Sequence, residues 1–169
     1  MSEESDLAEF ENEDTQKDKY LTFHIGSEDY AIAILYVTEI IGMLNITDVP
    51  QTPSYIKGVI NLRGKVIPVM DIRLRFAMDA RDYDERTCVI VVNFKENTVG
   101  LVVDTVSEVL DIPEEKVESA PGFSRNEGGN FISGMGKVEE GIKMIIDVNA
   151  LLFQDNELVD SLSKEEVES

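Results

Sequence analysis

Apolar and polar positions alternate along this chain in short runs. Tyr20–Ile25 sets Leu21, Phe23 and Ile25 against Thr22 and His24, and Tyr30–Ile34 resumes the pattern after Gly26-Ser27-Glu28-Asp29. A period of two predicts half-buried strands, and the turn residues between these runs predict a hairpin. Leu35–Ile41 is a third, β-branched run, with Val37, Ile40 and Ile41 apolar around Glu39. Gly42–Pro53 reads as a connector, punctuated by Asn45, Asp48, Pro50 and Pro53. The stretch YIKGVINLRGKVIPVMDIRLRF, Tyr55 to Phe76, follows. It predicts a strand at Gly58–Leu62, a tight turn at Arg63-Gly64, a strand at Lys65–Met70 and a short helical turn. Gly64 supplies a positive φ without a Cβ clash. Asp71 suits an N-cap, where its carboxylate accepts from orphan backbone N–H groups. Pro68 cannot donate to a ladder, which predicts an edge strand or a bulge.

The pattern then returns. FISGMGKVEEGIKMIIDVNALL, Phe131–Leu152, lies on Tyr55–Phe76 without a gap, with Tyr55 on Phe131, Ile56 on Ile132, Gly58 on Gly134 and Asp71 on Asp147. Upstream, a shift of 69 places Tyr30 on Val99, Ala31 on Gly100, Val37 on Val106, Glu39 on Glu108 and Ile40 on Val109. Thr87–Phe94 is almost continuously apolar, as in a strand covered on both faces. Lys95-Glu96-Asn97 turns it into Thr98–Val103, and Asp104–Leu110 follows. The second connector is longer, and its insert, Ser124–Asn130, is polar and glycine-containing like a surface loop.

Each half thus carries a set of short strands that, twisted and mostly antiparallel, would close into a small five-stranded barrel and so remove exposed edges. The expected fold is mostly β: two five-stranded β-barrels related by a pseudo-twofold, with short helical turns and a C-terminal helix over Asn149–Leu162. The expected boundaries are a disordered acidic leader at 1–19, one domain at 20–153 and a helix with an acidic tail at 154–169. Within that domain the barrels divide at about 20–86 and 87–153, across the polar joint Ala77–Arg86, with exchange of end strands left open.

Charge narrows the function. Acids number 34 against 15 bases in 169 residues, a net charge of −19, a field that repels phosphate backbones and anionic lipid. Neither nucleic-acid binding nor membrane insertion is expected. The leader alone holds Glu3, Glu4, Asp6, Glu9, Glu11, Glu13, Asp14 and Asp18, and is read as a solubilising tail, with a tether for a basic partner as the alternative. Cys88 is the sole cysteine, which excludes an internal disulfide and suits a reducing compartment. With no apolar run approaching the ~20 residues of a spanning helix and no signal-peptide pattern, the chain reads as cytoplasmic.

Catalytic signals are scarce. There is no glycine-rich phosphate loop and no Cys/His cluster at metal spacing, so neither cofactor nor metal is expected. Cys88 reads as a buried mid-strand thiol, and His24 as a surface histidine. Asp71, Asp104 and Asp147 form the one candidate carboxylate set for an enzyme, but Asp71 and Asp147 are repeat equivalents at helical starts, where capping accounts for them.

What remains is surface. Ile40, Ile41, Val106 and Val109 come from equivalent strands, and between two barrels they either form inter-barrel core or line an apolar groove that would seat an amphipathic helix. Arg63, flanked by Lys57 and Lys65, is a small positive spot on an acidic molecule, and its repeat counterpart is Glu139. The turn therefore does not itself demand a cation; the alternative to a solvated turn arginine is a fork-shaped donor to a partner carboxylate or carbonyl, and the latter is expected.

The run IKGVINLRGKVIPVMDIRLRF, with YAIAILYVTEII before it and VGLVVDTVSEVLDI after, resembles the CheW-type chemotaxis coupling proteins from about Lys19 to Leu152. The NLRG turn and the paired VTEI and VSEV segments carry the likeness. The resemblance implies SH3-like barrels and a non-catalytic adaptor between the cytoplasmic helical hairpin of a chemoreceptor and the regulatory domain of a histidine kinase. It implies partner binding at Arg63, Lys57, Gly58, Val37, Glu39, Gly100, Val106 and Val109, and recruitment to membrane-associated receptor arrays. An equivalent adaptor in another receptor–kinase array, such as one for surface motility, fits the same residues.

Overall fold

The computed structural model describes residues 16–119 and 131–153. Along the chain run β1 (Lys19–Ile25), β2 (Glu28–Ala33), β3 (Val37–Gly42), β4 (Ile56–Leu62), β5 (Lys65–Asp71), α1 (Ile72–Arg75), β6 (Cys88–Phe94), β7 (Asn97–Val103), β8 (Thr105–Asp111), β9 (Val117–Ser119), β10 (Ile132–Val138), β11 (Gly141–Ile146) and α2 (Val148–Phe153). The expected leader over residues 1–15, the insert Ser124–Asn130 and the C-terminal helix beyond Phe153 lie outside the described residues.

The strands form a six-stranded sheet, ordered β8-β1-β2-β11-β10-β9, and a five-stranded sheet, ordered β3-β6-β7-β5-β4. These are the two SH3-like barrels of a mostly β fold. The sheets draw on both halves of the sequence. β3, β4 and β5 join β6 and β7, while β1 and β2 join β8 to β11. One 3-10 turn at Ile34–Tyr36 carries the chain straight from β2 out of one sheet and into the other. The halves are then stitched by parallel pairs, which a local hairpin cannot make: Val69 with Gly100 and Met70 with Leu101, against Ile145 with Ala31 and Met144 with Tyr30.

The repeat is realised in detail. Both second hairpins slip register at the same place, between Ile56 and Gly58 and between Ile132 and Gly134. Asp71 N–H donates to the Tyr55 carbonyl at 2.8 Å, and Asp147 N–H to that of Phe131 at 2.7 Å. Gly58 explains the slip. Its φ is +143°, and a Cβ there would sit 2.1 Å from the Thr47 carbonyl oxygen, which bonds Val59 across an isolated bridge. The other barrel widens this bridge into β9, its sixth strand.

Alternation sorts side chains into three cores. In β6, Ile90 and Val92 face the largest core, and Val89 and Val91 the inside of the five-stranded barrel with Ile60, Ile67 and Val69. The apolar run Thr87–Phe94 is thus covered on both faces. The largest core mixes Leu21, Phe23 and Ile32 of one sheet with Ile90, Leu101 and Met70 of the other, so it lies between the barrels. Among the described residues, the inside of the six-stranded barrel holds Ala31, Ile112 and Ile145 as its buried apolar cluster.

Two local expectations change. Pro68 is not on an edge, since β5 lies between β4 and β7; it stands just before the parallel ladder with β7, which begins at Val69. The register slip falls on its partner strand. Cys88 is not mid-strand but opens β6, half-buried, with its thiol 3.2 Å from the Arg86 carbonyl.

Candidate partner-binding surface

The β4–β5 turn is built by its own residues. Arg63 and Gly64 both take positive φ, 54° and 85°, and Asn61 Oδ1 accepts the Gly64 N–H at 2.8 Å. Such a turn matches the twist of its strands. It projects the Arg63 side chain, 64% exposed, toward Glu39 on β3. Nη1 meets Oε1 at 3.1 Å and Nη2 meets Oε2 at 2.6 Å. The acceptor for Arg63 within the chain is therefore Glu39. The pair joins β3 and the β4–β5 turn, which lie at opposite ends of the strand order. The other barrel has Glu139 and Glu108 at the equivalent positions, so the repeat there opposes two acids.

The expected positive spot is dispersed among separate contacts. Lys57 Nζ lies 6.0 Å from the Tyr83 ring centre, the outer limit of a cation–π contact, and Lys65 Nζ donates to Thr98 Oγ1 at 3.1 Å. Gly58 and Gly100, expected in the partner set, are buried and present no side chain. A Cβ on Gly100 would come within 2.8 Å of Val89 Cγ1. Val37 and Val106 are half-buried against the shared core, and Ile41 packs on the five-stranded barrel's interior. Ile40 and Val109 face outward, as do Val66 and Ile142, a second repeat-equivalent pair. Of the four residues read as core or groove, Ile41 and Val106 thus pack on the cores while Ile40 and Val109 are surface.

Of the carboxylate trio, Asp71 and Asp104 line one small pocket with Arg73, Arg81 and Tyr83, and Asp147 is not part of it. Asp71 accepts the Leu74 N–H at 3.3 Å, as an N-cap, and also the Tyr83 hydroxyl at 2.6 Å. Asp147 accepts the Ala150 N–H at 3.1 Å. Asp104 is taken by Arg73 through Nε at 2.8 Å and Nη2 at 2.7 Å, by Arg81 at 3.0 Å and by the Gly26 N–H at 2.8 Å. Burial pushes the Asp104 carboxyl up, but Arg73, Gly26 N–H and Arg81 together bring it below its ordinary value. Tyr83 is pushed well above the usual phenol range, by burial first and by Asp71 second. Among the described residues no group of His, Cys, Asp and Glu is arranged to hold a metal ion.

Sequence reasoning missed two buried cations. Lys143, 6% exposed, stands where the repeat has Ile67, and its ammonium meets Asp29 at 2.8 Å. Asp29 also contacts His24, and the Lys143 bond is the main reason its pKa is lowered. Arg75 is equally buried where the repeat has Leu151. Laying the repeat residue on residue exposes both, as a charge facing an apolar counterpart.

A double β-barrel that presents exposed apolar pairs and the Arg63–Glu39 ion pair on its surface is the build of an interaction module. The sequence profile of the CheW-like domain matches residues 19–155, and this chain belongs to the CheW family of chemotaxis adaptors. It is 40% identical over 152 residues to Chemotaxis protein CheW of Klebsiella aerogenes, spanning 89% of this chain and 92% of that one. Identity to Chemotaxis protein CheW of Helicobacter pylori is 33% over 137 residues, 81% of this chain and 82% of the relative. The crystal structure of scaffolding protein TtCheW from Thermoanaerobacter tengcongensis superposes with a TM-score of 0.75 at 34% identity, covering 80% of this chain and 92% of that one. No helix among the described residues is long and apolar enough to cross a membrane.

Proposed function

We propose that this chain is a non-catalytic scaffold that couples the cytoplasmic helical hairpin of a chemoreceptor to the regulatory domain of a chemotaxis histidine kinase. It places kinase activity under receptor control within membrane-associated arrays. One observation carries the reading beyond family membership: equivalent tips of the two barrels differ in charge. Arg63-Gly64-Lys65 precedes exposed Val66 on one, and Glu139-Glu140-Gly141 precedes exposed Ile142 on the other. A repeat with the same apolar anchor and opposite charge offers different faces to two partners. The receptor side takes Arg63, Glu39 and Lys57, with Val37, Val106 and Val109 along β3 and β8; Gly58 on β4 and Gly100 on β7 contribute through the close packing they allow against Thr47 and Val89. Capture assays with the receptor hairpin and the kinase regulatory domain, singly and together, test this. Each is expected to bind alone and both at once, and failure to capture either would overturn it.

A further inference from the structure

Arg75 ends α1 and is 6% exposed. The repeat pairs it with Leu151 in α2, and in the folded chain the two meet. Arg75 Nε donates to the Leu151 carbonyl at 2.9 Å and Nη2 to the Ala150 carbonyl at 3.4 Å. The guanidinium carbon lies 4.3 Å from the Tyr55 ring centre and 4.5 Å from that of Phe131, which are themselves repeat equivalents. A residue touches its own symmetry mate only beside the axis. A group at nearly equal distance from a second pair of mates fits the same place. The guanidinium therefore sits at the pseudo-twofold axis, between the barrels.

The physics of that position is specific. Guanidinium keeps its charge under all working conditions and offers a planar, rigid fork of donors. The acceptors it uses are the backbone carbonyls of Leu151 and Ala150 in α2, which match that fork. Two aromatic faces enclose it. Turning one barrel against the other would draw the plane off a ring and off the α2 carbonyls. A leucine at the axis would slide, because burial of apolar surface is non-directional.

We propose that Arg75 is a positioning residue that locks the angle between the barrels, so that displacement at one is transmitted to the other instead of being absorbed between them. This rests on the coupling role proposed above. The test uses nitroxide labels at Ser27→Cys and Glu96→Cys, repeat-equivalent exposed turn positions on opposite barrels, in a Cys88→Ser background. Pulsed dipolar spectroscopy should give one narrow distance distribution with Arg75 present and a broadened one for Arg75→Leu and Arg75→Lys. With Arg75→Leu, affinity for each partner alone should be unchanged, while the receptor's effect on kinase rate falls at least about fivefold, the lower edge of ordinary coupling between sites. An unbroadened distribution in a folded Arg75→Leu chain overturns the proposal, and so does full receptor control alongside a broadened one. If Arg75→Leu does not fold, Tyr55→Leu removes one ring and must broaden the distribution; a narrow one overturns the lock. Absence of receptor control with the unsubstituted chain would overturn the coupling reading, while the distances still decide the lock.

Discussion

Asp104, where β7 passes into β8, ties three parts of the fold together. Its side chain is 9% exposed and that of Arg73 16%, so the pair is largely removed from water. Arg73 belongs to α1, Arg81 to the joint between halves, and Gly26 to the β1–β2 turn of the other barrel. Asp104→Asn keeps the shape and one acceptor oxygen but turns the second acceptor into a donor facing donors. Removing one partner of a buried ion pair costs about 3–5 kcal/mol; the retained acceptor places Asp104→Asn near the low end, at about 3 kcal/mol. Urea unfolding at neutral pH measures this, and a double-mutant cycle with Arg73→Met should give a coupling of at least about 1 kcal/mol. Because the carboxyl's pKa is lowered in the folded chain, its stabilisation is present above the ordinary aspartate value of ~3.9. It is lost as pH falls through the lower folded value, and Asp104→Asn should remove that part of the acid slope. A loss under about 0.5 kcal/mol with no coupling, the usual result at an unremarkable surface site, would refute the reasoning.

Three further outcomes follow from the same contacts. Arg63→Glu should move stability by no more than about 1 kcal/mol, since exposed ion pairs contribute little, yet weaken receptor binding by about 2–5 kcal/mol. The charge-reversed double variant Arg63→Glu with Glu39→Arg, measured by calorimetry at matched salt, should not restore binding; recovery would make the pair's role purely internal. Asp71→Asn should cost about 1–2 kcal/mol, because a capping bond and a charge-assisted bond from Tyr83 are both weakened, while partner affinity holds. Alkaline absorbance titration should show Tyr83 ionising after the ordinary tyrosines, and ionisation in the usual range would contradict that bond. Lys143→Ile alone should destabilise by leaving Asp29 without its main partner. Adding Asp29→Thr copies Ile67 and Thr98 of the other barrel, and should recover the loss or exceed the starting stability; thermal melts decide it.

Short strands and their doubling were legible because alternation and turn chemistry are local. The β4–β5 and β10–β11 hairpins and the caps at Asp71 and Asp147 could be read from residue types, whereas the hairpins' shared slip at Gly58 and Gly134 could not. The trading of strands between halves was not, because the parallel pairs Val69–Gly100 and Ile145–Ala31 join segments with no local signature. Pro68 was misplaced for the same reason: whether its missing donor matters depends on where a distant ladder begins. Arg63 stood out in the sequence because its repeat counterpart is Glu139. Its acceptor Glu39 stayed hidden, because only barrel curvature brings the two ends of a strand order together. Gly58 and Gly100 are buried, and residue type alone does not separate such a packing constraint from contact surface. Lys143 and Arg75 were within reach, since each aligns a charge with an apolar repeat mate.

The central claim, that this chain carries receptor control to a kinase, is tested most directly by kinase autophosphorylation measured with a receptor cytoplasmic hairpin present, with and without this chain. The account predicts that the rate responds to the receptor only when the chain is added, and that Arg63→Glu abolishes the response at unchanged fold. A kinase rate indifferent to the chain, at concentrations where both partners bind it, would contradict the account.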